Sequence, residues 1–418
     1  MKLTVFPSSL EGSVTVPGSK SLMQRALAAA LLANGTSVLH NPASSADCLN
    51  IGAVIEQLGA KTALIDGALH VTGGMKAQAD YVHMGESGLG TRMFTPIVAM
   101  LSEAITIVGE GSLMNRPMGL FEELIPALGG KCSTNNGKLP IDVEGPLKGG
   151  EIDVDGSLSS QFLTGLLMAL PLAENDSVLH VKDLKSTPYI DLTLEVLEAF
   201  GIAVEHEDYH TFKIRGKQQY TPAEIVIEGD WSGAAAIFAA GAVAGGNKFA
   251  VEGLGTRFTQ ADESVKGALL FAGAKLMNTE EGLHIHSHRL RGFEFNATDC
   301  PDLFPVLAAM AVFAKKPTTL LGVHRLEHKE SNRALVIQEE FAKAGIKVEL
   351  IDDKMIIHPG KVQKATLNSH NDHRIAMAAA ILGIAGAPIT IEGADAVAKS
   401  YPDFFVHLEE LGAEIEVG

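Results

Sequence analysis

Lys20, Ser21 and Arg25 stand where a short alternating segment and a small polar turn give way to an apolar run, in SVTVPGSKSLMQR. Five further segments share that pattern: YVHMGESGLGTRM, IDVDGSLSSQFL, EIVIEGDWSGAAA, FEFNATDCPDLF and ATLNSHNDHRIAM. A strand running through a polar turn into an apolar helix places the turn at a helix N-terminus. Unpaired N–H groups and the macrodipole attract anions there. The second such junction carries Gly88 and Arg92, the third Ser159, Ser160 and Gln161, the fifth Asp302, and the sixth Asp372, His373 and Arg374. A further set precedes the next helix along: Arg116, Ser186, Lys329, Glu330, Arg333 and Lys399. A cation at a helix N-terminus is unfavourable by roughly 0.3–1 kcal/mol. An anion bound among such cations offsets this through charge-assisted hydrogen bonds of about 1.5–3 kcal/mol each. The expected chemistry is therefore the binding of small anions.

The elements that position these residues repeat. LGAKTALIDGALHV, LGGKCSTNNGKLPI, FGIAVEHEDYHTFKI, AGAKLMNTEEGLHI and AGIKVELIDDKMII share one plan, and LGAEIEVG closes the chain as a truncated copy. Their glycines, Gly59, Gly129, Gly201, Gly273, Gly345 and Gly412, lie 70, 72, 72, 72 and 67 residues apart. Several of the preceding helices have apolar residues at i, i+4 and i+7, as in Ile51, Ile55 and Leu58. A glycine just past such a helix suits a left-handed C′ position. Each copy reads strand, helix, strand, helix, strand, strand. Six copies group as three plus three, in two α/β domains with helices inside and sheets outside, each around a pseudo-threefold axis. The expected domains are 19–227, and 1–18 plus 228–418. The second takes the N-terminal strand because the last copy lacks its final one.

Composition bounds the partners. Thirty-three Lys and Arg against 50 Asp and Glu give a net charge of −17, which argues against nucleic acid as the main partner. Three cysteines without a CxxC fit a reducing, cytoplasmic setting. The start MKLTVFPSSLEG does not read as a signal peptide. The longest uncharged run, Ile375 to Ile391, contains Pro388 and reads as a buried helix plus a strand, so no membrane association is expected. His284, His286 and His288 alternate along one strand, but no flanking carboxylate or cysteine suggests a metal site.

The phrases PGSKS, NRPMG, DGSLSSQFLTGLLMALPLA, STPYID, PDLFP, KESNR, NDHRIAMA and KSYPDFF make the chain resemble the 5-enolpyruvylshikimate-3-phosphate (EPSP) synthase family over essentially its whole length. That resemblance implies two inside-out α/β domains of three βαβαββ units with the active site in the cleft between them, no cofactor, and a monomer. It implies transfer of the enolpyruvyl group of phosphoenolpyruvate to the 5-hydroxyl of shikimate 3-phosphate, releasing phosphate by addition and elimination. Lys20, Ser21, Arg25, Ser159, Ser160, Gln161, Ser186, Asp302 and Lys329 then match the shikimate 3-phosphate site. Lys20, Gly88, Arg116, Gln161, Arg333, Arg374 and Lys399 match the phosphoenolpyruvate site. Lys20, Asp302 and Glu330 are the implied catalytic residues, with Asp302 as proton acceptor and Glu330 as proton donor.

The chain departs from the family pattern at several points. Glu86-Ser87-Gly88-Leu89 replaces Asn-Ala-Gly-Thr or Asn-Ser-Gly-Thr, Asn332 replaces a common Asp, Met93 a frequent Pro, and Arg325 a substrate-binding Asn. Two alternatives remain to be set against this resemblance. The related transferase acting on UDP-N-acetylglucosamine typically has a Cys in the loop matching Gly109 to Gly119, and none is present here. A non-catalytic six-unit scaffold is disfavoured by the net charge and by the pairing of Asp302 with Glu330.

Overall fold

The computed structural model describes every residue except 247, 280, 281, 287 and 288. The chain divides into two compact units. One comprises 18–228 and 256–260; the other comprises 1–17, 229–255 and 261–418. The short segment 256–260, expected with the second unit, belongs to the first. Its backbone is tied there, since Thr259 N–H donates to Glu195 at 2.6 Å and Arg257 N–H to Glu228 at 2.8 Å.

The described strands form six four-stranded sheets, all with one topology. In the third repeat, Glu151–Asp155 runs parallel to Ser177–Lys182. Ser177–Lys182 pairs antiparallel with Thr211–Ile214, which pairs in turn with Val204–Glu207. A parallel pair needs a long crossover, and the helix Ser160–Ala169 supplies it. Burial alternates along Glu151–Asp155, as expected for a sheet with one face on a core and one in water.

The helices that follow the junctions fill the interiors. Lys20–Leu32 is buried from Leu22 to Leu32, and His373–Ala385 from His373 to Ile384. A helix without a polar face is stable only when surrounded. In the unit of 261–418, Trp231–Ala244, Phe304–Ala311 and His373–Ala385 pack on one another. In the other unit, Gly88–Val98 packs on Ser160–Ala169 so closely that a Cβ on Gly165 would lie 2.5 Å from the Arg92 carbonyl. All six recurring glycines have positive φ, between 79° and 102°, the left-handed helix stop that L side chains adopt at a cost.

Ser13–Thr15 and Glu224–Val226 each complete a sheet in one unit and lead into a helix of the other. Ser13–Thr15 pairs parallel with Ala250–Glu252, and Glu224–Val226 with Thr36–His40. The chain thus changes unit at each of these strand-to-helix turns, between Pro17 and Gly18 and between Glu228 and Gly229. Lys2–Val5 supplies the strand that the last copy lacks, pairing with both Ile389–Glu392 and Ile415–Val417.

Among the described residues no helix is long and apolar enough to cross a membrane, and no group of His, Cys, Asp and Glu is placed to hold a metal. His284 and His286 lie on Gly282–His286; His288 is outside the described residues.

Candidate functional site

In the unit of 18–228, Lys20, Arg25 and Arg92 lie in the first turns of helices. Ser19 caps Lys20–Leu32, its hydroxyl accepting from the Leu22 N–H. The Lys20 ammonium donates to Asp47 at 3.0 Å. Arg25, one turn further on, is buried. Its Nε donates to Thr193 Oγ1 at 2.9 Å, Nη1 to the Ser21 carbonyl at 2.9 Å, and Nη2 to the Tyr189 carbonyl at 3.2 Å. Burial pushes its pKa down to about 10, which leaves it charged at neutral pH. Tyr189 belongs to Thr187–Ala199, whose N-cap is Ser186 in a left-handed conformation, φ 58°. Arg25 therefore joins the first junction to the Ser186 segment.

Gly88 opens Gly88–Val98, capped by Ser87, which donates its hydroxyl to Gln24 at 3.0 Å. A Cβ on Gly88 would sit 2.1 Å from Arg116 Nη1, so glycine is what lets that guanidinium approach the helix start. Arg92 is buried, over the Phe162 ring at 5.1 Å. It donates to Gln161 Oε1 at 2.9 Å and to the Pro117 carbonyl at 3.0 Å. Arg92 thereby orients the Gln161 amide and the backbone beside Arg116. Ser159 caps Ser160–Ala169, accepting from the Gln161 N–H.

Glu86 accounts for one departure from the family pattern. Its carboxylate accepts from the Ser112 N–H at 3.0 Å and the Ser112 hydroxyl at 3.2 Å. It thus anchors the turn Gly111–Asn115 that immediately precedes Arg116.

In the other unit the named residues form one charged network. Arg333 opens Arg333–Lys343 and is fully buried. It donates to Asp302 at 2.6 Å, to Glu330 at 2.9 Å and, through Nε, to Asp372 at 2.8 Å. Burial alone would lower its pKa, but Asp372, Glu330 and Asp302 hold it well above the usual arginine value. Lys329 also donates to Asp302, at 3.1 Å. Burial alone would raise the Asp302 pKa, yet Lys329, Arg333 and Arg374 outweigh it and hold that carboxyl well below the ordinary range. Burial lowers Lys329, and Asp302 partly restores it. Asp372 caps His373–Ala385. Lys399, at the end of the turn Ala394–Lys399, donates to the Asn371 carbonyl at 2.7 Å. Asn332 caps Arg333–Lys343, accepting from the Leu335 N–H. Arg325 lies close enough to lower the Lys329 pKa slightly.

Arg374 is unlike Arg333. It is buried, it donates Nη1 to the Ser232 carbonyl at 2.6 Å, and no carboxylate lies within ion-pairing distance of it among the described residues. Ser232, Asp230 and Asp262 are not among the residues expected from sequence: the EGDWSGAAA junction has no cation, and Asp262 lies in none of the six junctions. Arg92 stands out in the sequence only as a helix-start cation, with no sign of its partners.

Buried cations at repeated helix starts, on triplets of βαβαββ units, define an α/β protein of the inside-out type built to receive small anions. A sequence profile of the EPSP synthase (3-phosphoshikimate 1-carboxyvinyltransferase) family matches residues 6–408. A 3-phosphoshikimate 1-carboxyvinyltransferase of Pseudoalteromonas translucida is 37% identical, over 95% of this chain and 96% of its own. That of Clostridium kluyveri is 36% identical over 99% and 98%. The solved structure of EPSP synthase from Acinetobacter baumannii superposes with a TM-score of 0.82 at 26% identity, covering 100% of both chains. The chain belongs to the EPSP synthase family.

Proposed function

We propose that this chain transfers the enolpyruvyl group of phosphoenolpyruvate to the 5-hydroxyl of shikimate 3-phosphate and releases phosphate. The observation that carries this reading is the set of buried arginines near helix starts, one of them, Arg333, joined to the carboxylates of Asp302 and Glu330, in a member of that family. Lys20, Ser21, Arg25, Ser159, Ser160, Gln161, Ser186, Asp302 and Lys329 bind shikimate 3-phosphate. Lys20, Gly88, Arg116, Gln161, Arg333, Arg374 and Lys399 bind phosphoenolpyruvate. In the addition step the 5-oxygen bonds to C2 of phosphoenolpyruvate as its proton passes to Asp302, and Glu330 gives a proton to C3. Elimination then returns a C3 proton to the carboxylate of Glu330 and breaks the C2–O bond to phosphate, whose developing charge the cations stabilise.

The ligand-free charge state sets what binding must change. Asp302 is ionised and can accept a proton, but Lys329 and Arg333 make it a weak base. A substrate anion that draws Lys329 away removes one of those partners and raises its basicity. Glu330 lies beside Arg333 at 2.9 Å, which orients its carboxyl group. Carbon NMR of the product from 2-13C-phosphoenolpyruvate tests the assignment. A new C2–O bond at position 5, formed only with both substrates present, is expected. Product bonded elsewhere, or none from folded protein, overturns it.

A further inference from the structure

Ser232 connects Arg374 to a buried carboxyl group that the proposed reaction does not use. It is the second residue of Trp231–Ala244 and donates its N–H to the capping Asp230 at 2.9 Å. Its carbonyl accepts from Arg374 Nη1 at 2.6 Å, and its hydroxyl makes a very short hydrogen bond to Asp262. Asp262 is 1% exposed, in the turn Ala261–Ser264. Its other oxygen, Oδ1, has no hydrogen-bond partner among the described residues, and neither has Arg374 Nε. An unpartnered buried carboxylate oxygen is costly.

The groups acting on Asp262 come from each element around it. Asp230 and Ser232 lie at the start of Trp231–Ala244, Arg374 on His373–Ala385, and Cys300 and Asp302 at the turn Pro301–Leu303. On its own turn, Glu263 is engaged by Lys266. Burial, then Asp302, push the Asp262 pKa up; Arg374 and the Ser232 hydroxyl pull it down, and the outcome is about 7.

We propose that Asp262 is a positioning residue for Arg374, acting through Ser232, and that its carboxyl takes up a proton when a substrate anion engages that arginine. This rests on the assignment of Arg374 to phosphoenolpyruvate. The guanidinium favours the charged form of Asp262. An anion arriving at Arg374 cancels part of that field, and the carboxylate, already buried and close to Asp302, then protonates. The pocket exchanges one negative charge for another, and Ser232 keeps its bond to either form. By linkage, phosphoenolpyruvate binding weakens as pH rises above 7, because the proton must then be drawn from a more dilute supply.

The test is the KM for phosphoenolpyruvate from pH 6 to 9 in wild type, Asp262→Asn and Ser232→Ala. Wild-type KM should climb above pH 7 with a slope approaching tenfold per pH unit. Asp262→Asn, permanently neutral, should flatten that rise. Ionisation of the substrate phosphate affects all variants alike, so the difference between profiles isolates Asp262. Ser232→Ala removes a bond that favours the carboxylate and should move the rise to higher pH, which serves if Asp262→Asn fails to fold. Parallel profiles in all folded variants overturn the proposal, as does a lower kcat with an unchanged KM profile. Arg374→Gln separates the underlying assignment: if it leaves KM unaltered at every pH, Arg374 does not bind phosphoenolpyruvate.

Discussion

Arg333 and Arg374 are the same residue type and each stands at a helix start, yet the structure predicts unequal consequences for stability when each becomes Gln. Arg333 makes four hydrogen bonds to three carboxylates, at 2.6, 2.8, 2.9 and 3.2 Å, and both it and Asp372 are wholly shielded from water. Its loss leaves buried negative charge uncompensated, which costs about 3–5 kcal/mol. In a unit of about 200 residues each kcal/mol shifts the melting temperature by roughly 2–4 °C. Arg333→Gln should therefore melt roughly 6–20 °C lower at pH 7.5. Arg374→Gln removes a buried charge that has no direct ion pair, and should melt within about 3 °C of wild type. The pH dependence follows from Asp302. Its folded pKa is depressed, so its contribution is fully present above about pH 4 and lost as pH falls through the folded value. The gap between wild type and Arg333→Gln should then narrow below about pH 4. Circular dichroism melts at a series of pH values measure both quantities. An Arg333→Gln melting temperature equal to that of wild type, or a larger loss in Arg374→Gln, would refute the reasoning.

Three further outcomes are expected. Lys20→Ala and Arg374→Ala should abolish turnover with melting temperatures nearly unchanged, since the Lys20–Asp47 pair keeps some contact with water and such pairs contribute about 1 kcal/mol or less; large destabilisation by both would point to a structural role. Gly88→Ala should raise the KM for phosphoenolpyruvate at least tenfold while kcat changes less, because the added methyl would lie 2.1 Å from Arg116 Nη1 and displace it; an unchanged KM would separate Arg116 from that substrate. Asp302→Asn should lower kcat by roughly 10²–10⁴, measured as initial phosphate release; wild-type rates would exclude it as the base.

The sequence carried the repeat, the six glycine stops and the helix-start cations, because each follows from local periodicity and spacing. It did not carry the partners of those cations. Arg333 is surrounded by Asp302, Glu330 and Asp372 from three separate segments, whereas Arg374 meets a backbone carbonyl. Nothing in NDHR or KESNR distinguishes the two arginines. Ser13–Thr15 and Glu224–Val226 have the same alternating burial and enter equivalent helices, so their partner strands, unlike their domains, follow only from long-range pairing. Glu86 reads as an acid misplaced in a phosphate-binding turn until its bonds to Ser112 give it a structural task.

The most direct test of the account is phosphate release from phosphoenolpyruvate with shikimate 3-phosphate or UDP-N-acetylglucosamine as acceptor, using the full chain and its Arg25→Ala variant. The helix-start site predicts rapid release with shikimate 3-phosphate, none with UDP-N-acetylglucosamine, and loss of the former in the variant. Release with the nucleotide sugar, or none with either acceptor from folded protein, would contradict it.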